Sequence, residues 1–274
     1  MMGAYPPLIG VHGLNDDGRT WSPLAERSGL EITPLEAPWS RPGPARLDFP
    51  AMSGLMDEAC GAARRGGAFG IIAHSLGASA CLRYVAERGP CDGLIGMILV
   101  CPTYVRRAEV GRASERREHR RRFDAVLAER LHTERADLRA DQGRETTDAM
   151  VRVLIRQVPD GEREASLAFV ERTTAAPLER LRIPVLIVGG DLDPGTTDAQ
   201  RRELCDRLAH SRLEVQEGQG HFCHVSAPGR VAALVEEWMT TRIGEGVPGA
   251  LEPREANEGA PGERQGRHGG DVRQ

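Results

Sequence analysis

Residues 69–84, FGIIAHSLGASACLRY, constrain the fold of this 274-residue chain more tightly than any other stretch. Phe69-Gly70-Ile71-Ile72-Ala73 is a short apolar run with the length and β-branched content of a buried strand. Beyond Ala73-His74-Ser75-Leu76-Gly77 the pattern turns helical, with Ala80, Cys81, Tyr84 and Val85 on one face. A chain that passes from strand to helix through one serine must turn so sharply that the serine takes strained backbone angles. The residues two before and two after it must be small for the turn to close, and Ala73 and Gly77 are. The turn lifts the hydroxyl clear of the sheet. The helix N-terminus beneath offers backbone N–H groups to a developing negative charge.

Composition bounds the setting for this turn. The length suits one large α/β domain or two small ones. The chain is 40% hydrophobic and 28% charged, which is ordinary for a globular protein. All its basic residues are arginine, which we read as a compositional bias. A net charge of −4 argues against general nucleic-acid binding. Cys60, Cys81, Cys91, Cys101, Cys205 and Cys223 fall singly, several inside apolar runs, where a thiol acts as a small hydrophobe. With no signal-peptide pattern over Met1–Pro7 and no apolar run of membrane-spanning length, a cytoplasmic location is expected, without membrane partners.

Short apolar strands alternate with helical patterns along the rest of the chain. Strands are expected at Pro7–Val11, Glu31–Ala37, Leu94–Cys101, Ile183–Val188 and Arg212–Gln216. Helices are expected at Met52–Arg64 and Pro228–Ile243, the latter packing Val231, Leu234, Val235 and Trp238 on the core. This alternation implies a mostly parallel sheet covered by helices on both faces. Between Thr103 and Arg180 the character changes to charged helix, with apolar stripes at Phe123, Val126, Leu127, Leu131 and at Met150, Val151, Leu154, Ile155, Val158. Eight arginines fall within residues 106–122. They read either as a solvated helix face interleaved with Glu109, Glu115 and Glu118, or as a basic rim for an acidic carrier protein. The expected organisation is 1–102 and 181–243 as two parts of one core, 103–180 as a helical insertion, and 244–274 as a disordered tail.

The pentapeptide Ala73-His74-Ser75-Leu76-Gly77 resembles the nucleophile elbow of α/β-hydrolases, with alanine where the first glycine is more usual. The resemblance extends over roughly Leu8–Arg242. His12-Gly13 after an early strand, with Trp21 following, is similar to the family's oxyanion loop, which implies backbone N–H donors at Leu14 and Leu76. It also implies a helical lid in the 103–180 insertion. The HG pair comes so early that the sheet is expected to lack the family's first strands or to be built from fewer than the usual eight. At Glu36–Gly43 the chain departs from the family's usual turn. Trp39 there either lines a pocket or covers the sheet edge, while Trp21 packs its loop on the core.

Acyl transfer through serine needs a base for the hydroxyl proton and a carboxylate to orient that base. The family's order is Ser, acid, His, which Ser75, Asp193 and His221 satisfy, each just past an expected strand end. Gly190-Asp191-Leu192-Asp193 resembles the acid loop, with Asp191 as the rival acid. His12, Gly13, Ala73 and Gly77 support the loop and elbow, and His74 is expected in the core. Cys223 and His224 lie near His221, but no zinc-type spacing accompanies them, so neither metal nor cofactor is expected. The resemblance implies a hydrolase acting on a small ester or thioester through an acyl-serine. An acyltransferase or thioesterase served by a carrier protein, and a non-catalytic ligand-binding protein on the same fold, remain the alternatives.

Overall fold

The computed structural model describes residues 5–40, 47–134 and 143–244. Six strands, β1 (Leu8–Val11), β2 (Ile32–Leu35), β3 (Phe69–His74), β4 (Leu94–Val100), β5 (Val185–Gly190) and β6 (Ser211–Gln216), form one sheet in the order β2-β1-β3-β4-β5-β6. Every pairing is parallel. The helices in chain order are α1 (Ser22–Glu26), α2 (Phe49–Arg65), α3 (Ser75–Arg88), α4 (Ala113–Glu134), α5 (Arg144–Gln157), α6 (Asp160–Ala175), α7 (Asp198–Arg207), α8 (Cys223–Ser226) and α9 (Pro228–Gly244).

The period of two along each strand divides the interior into two cores. Val11, Ile71, Ala73, Met97, Leu99, Val185 and Ile187 point to the face that carries α2 and α3. Leu8, Ile72, Ile98, Val100, Leu186 and Val188 point to the other, where Trp21 and Leu24 meet Val231, Val235 and Trp238 of α9. Because both faces are covered, the central strands read as continuous apolar runs. Helix α2 starts at Phe49, earlier than its apolar periodicity suggests. Asp48 caps it by accepting from Ala51 N at 3.3 Å, and proline is tolerated in a first turn.

Register sets the site. Val11 pairs with Ala73, His74 with Val100 and Val100 with Val188, so β1, β3, β4 and β5 all deliver their next residues to the same edge. Helices α4, α5 and α6 lie between β4 and β5 in the chain, inside the segment read as an insertion. Arg106 and Arg107 precede α4 rather than belonging to it. The residues beyond 244, expected as a tail, lie outside the described residues.

Candidate active site

Ser75 sits at the junction of β3 and α3 with φ of +54°, the strain that the strand–serine–helix turn requires. The need for a small residue at position 77 has a visible cause. A Cβ on Gly77 would strike the backbone carbonyls of His12 and Val11, so α3 could not lie this close to β1. Ala73 is wholly buried on β3.

His221 joins the two other groups. Its Nε2 accepts from Ser75 Oγ at 2.8 Å, and its Nδ1 donates to Asp193 Oδ1 at 2.7 Å. All three residues are buried, and Asp193 Oδ1 also accepts from Gly195 N at 2.7 Å. Asp191 instead stands exposed and accepts from Gln219 N. Burial acts to lower the imidazole's proton affinity. The charge and hydrogen bond of Asp193, with smaller help from Glu129 and Asp16, outweigh it and leave His221 above its ordinary value.

Around this line lies a layer of positioning contacts. His12 accepts from Ala37 N at 3.1 Å through Nε2 and therefore carries its proton on Nδ1, which donates to Gly13 O at 2.9 Å. Trp39 is wholly buried and donates from Nε1 to His12 O at 3.3 Å, so it fastens this loop. Trp21 is buried against His224. A Cβ at Gly13 would come within 2.9 Å of His74 Nδ1 and 3.1 Å of Ser75 Cβ. His74 lies in the core, as expected, but it also does something the sequence does not announce: its Nε2 donates to His221 O at 3.1 Å and so holds the histidine loop. Burial, then the neighbouring His224 and His221, push His74 well below its ordinary range.

Three further contacts escape a reading of spacing. Thr103 Oγ1, just past the end of β4, lies 3.2 Å from Ser75 Oγ. Arg201 of α7, itself buried, brings Nη1 to 3.8 Å from Asp193 Oδ2. Asn15, at φ of +59°, donates to Glu162 of α6 at 3.2 Å and ties the loop after β1 to the helices between β4 and β5. Each depends on tertiary placement, and only the left-handed tolerance of asparagine was there to be seen.

Ser75, Leu14 and Leu76 open onto one cavity, whose far wall is Phe123, Val126 and Leu127 of α4. Its empty volume is about 550 Å³ including the mouth. The space is snug and largely apolar. Among the described residues, Cys101, Asp193 and His221 place potential ligand atoms within 4.8 Å of one another. His221 has both nitrogens committed. The hydrogen bond with Cys223, then burial, keep the Cys101 thiol protonated. The trio does not offer a cation a ready donor set.

The model of the Alpha/beta hydrolase family matches residues 8–234. The chain belongs to that family. A curated relative, 3-oxoadipate enol-lactonase 2 of Acinetobacter baylyi, is 39% identical over 72 residues, a match spanning 26% of this α/β hydrolase and 27% of the relative. Among solved structures, a thermophilic esterase from Thermogutta terrifontis aligns with a TM-score of 0.56 at 20% identity, covering 88% of this chain and 91% of that one. An esterase from Exiguobacterium antarcticum aligns at 0.60 and 15% identity, covering 87% and 93%. These similarities establish the fold. Among the described residues no helix is long and apolar enough to cross a membrane.

Proposed function

We propose that this α/β hydrolase cleaves a small ester or thioester through an acyl-enzyme formed on Ser75. The observation that carries the reading is the continuous hydrogen-bonded line Ser75–His221–Asp193, with its serine facing a narrow, largely apolar cavity. His221 takes the Ser75 proton through Nε2 as Oγ attacks the carbonyl carbon. Asp193 holds the ring in the Nδ1–H tautomer and stabilises the imidazolium that forms. The backbone N–H groups of Leu14 and Leu76 receive the oxyanion, and losing one such donor costs about 2.7–4 kcal/mol of transition-state stabilisation. The imidazolium then protonates the leaving alcohol or thiol. Water, activated by the same imidazole, releases the acid and restores Ser75. A lactone is a cyclic ester that these same steps would open, and the partial match to an enol-lactonase favours including it among the substrates tried.

A fluorophosphonate probe tests the reading directly. It should label the wild-type chain and not Ser75→Ala, and that variant should lose at least about a thousandfold in turnover of short-chain esters. Equal labelling of both proteins would place the nucleophile elsewhere.

A further inference from the structure

The cavity is apolar near Ser75, with Leu14, Leu76, Val126 and Phe222 around it, but α4 and α6 also give it a polar wall. His119 and Arg122 of α4 and Ser166 of α6 line it there, and all three are buried. The Nε2 of His119 is buried and has no hydrogen-bond partner. Burial, then the Arg122 charge beside it, push the imidazole down to about 4, so the ring is neutral at pH 7 and can present an N–H. A buried polar atom left without a partner is costly, and a bound ligand is one way to satisfy it.

Arg122 shares its guanidinium with the buried Glu115 through Nη2. A guanidinium carries five donors, so this pairing does not exhaust it. Burial raises the Glu115 carboxyl above its ordinary value, against the pull of Arg122. The other cation on the wall, Arg130, is 3.6 Å from Asp16. His119 and Arg122 are therefore the donors best placed for a ligand.

We propose that His119 and Arg122, with Ser166 beside them, bind a carboxylate at the end of the acyl chain, so that the preferred substrates are esters or lactones of dicarboxylic acids. This rests on the acyl-Ser75 reading and narrows it. The reacting carbonyl lies at Ser75, a short apolar spacer runs past Phe123 and Val126, and the terminal anion meets two donors that are already dehydrated. A methyl group in the same place would leave them unsatisfied, the asymmetry that makes such sites discriminate.

The test compares monoethyl glutarate with ethyl pentanoate, in which a methyl replaces the carboxylate, following hydrolysis in a pH-stat. Wild type should favour the hemiester by at least tenfold in kcat/KM. Within His119→Phe and Arg122→Gln, each measured for its own ratio, the preference should collapse. His119→Phe leaves the Arg122–Glu115 pair in place and so guards against a folding defect in the other variant. If wild type hydrolyses ethyl pentanoate as well as the hemiester, the anion niche is refuted while the serine hydrolase stands. If neither ester turns over and the fluorophosphonate fails to label Ser75, the parent reading falls and takes this one with it.

Discussion

Gly195 shows how little room the His221 imidazole has. A Cβ there would lie 2.9 Å from His221 Nδ1, 3.0 Å from its Cε1 and 2.9 Å from Val126 Cγ2, while Gly195 N holds Asp193 Oδ1. Neither neighbour can yield without cost, because the imidazole is fixed at both nitrogens and Val126 belongs to the cavity wall. Gly195→Ala should therefore lower kcat/KM by roughly 10- to 100-fold by displacing the ring, with a change in Tm of only a few degrees. An unchanged rate would mean that His221 has slack. That Ser75, Asp193 and His221 converge was legible before any coordinates, because a strained turn, a loop carboxylate and a histidine each follow a strand and so must reach one sheet edge. Gly195, Thr103 and Arg201 were not. They sit beside the line only because separate strands bring them there, and no local pattern marks a residue for what it touches across the fold.

Helix α4 carries the most charge of any element and also walls the cavity. The sequence of residues 106–122 left two readings of the arginines open, and the fold shows where many of them go. Arg106 pairs with Glu109, Arg107 with Glu179, Arg120 with Asp160, Arg121 with Glu118 and Arg122 with Glu115. Most of these pairs are surface-exposed and worth little each, but they commit charge within the chain that a carrier protein would otherwise meet. A stronger fastening comes from buried Arg163 of α6, which donates to Asp124 on α4 at 2.7 Å and to the carbonyls of Val158 and Ile155 at 2.6 and 2.9 Å. The apolar stripe of α4 was legible as a helical period. Its role was not, because periodicity shows which face is apolar without showing whether that face meets a core or an empty space. Here Phe123, Val126 and Leu127 bound the cavity at Ser75. Since that space is so narrow, Leu127→Ala should shift the substrate profile towards longer acyl chains by at least threefold in the ratio of kcat/KM for octanoyl over acetyl esters. Leu127 is only partly buried, so the stability lost should stay below about 2 kcal/mol. An unaltered profile would show that the chain leaves Ser75 in another direction.

At the scale of the whole molecule the buried imidazoles make folding sensitive to acid. His119 is held down at about 4 by burial and Arg122, and His224 at about 3 by burial and His221; His74 lies well below its ordinary range. In the unfolded chain each would take a proton near 6.5. Their contribution is thus present above pH 6.5 and is lost as pH falls towards their folded values, since the unfolded chain then binds about three more protons. Two carboxyls act the other way. Burial raises Asp16 and Glu115, so the folded chain holds protons there that the unfolded chain has released. His221, raised above 6.5, adds stability that is complete below that pH and fades as pH rises through its folded value. Between pH 6.5 and 5 His119, at about 4, and His224, at about 3, stay largely neutral in the folded chain while the unfolded chain protonates them, so Tm should fall as the pH is lowered across that range. Thermal melts at the two pH values measure it. His224→Asn should be less stable at pH 6.5, because it disturbs the 2.8 Å bond to Thr20 Oγ1, and should show a smaller acid loss. A wild-type Tm that stays level or rises towards pH 5 would show that these rings take up protons in the folded chain, and the neutral His119 on which the carboxylate niche depends would have to be abandoned.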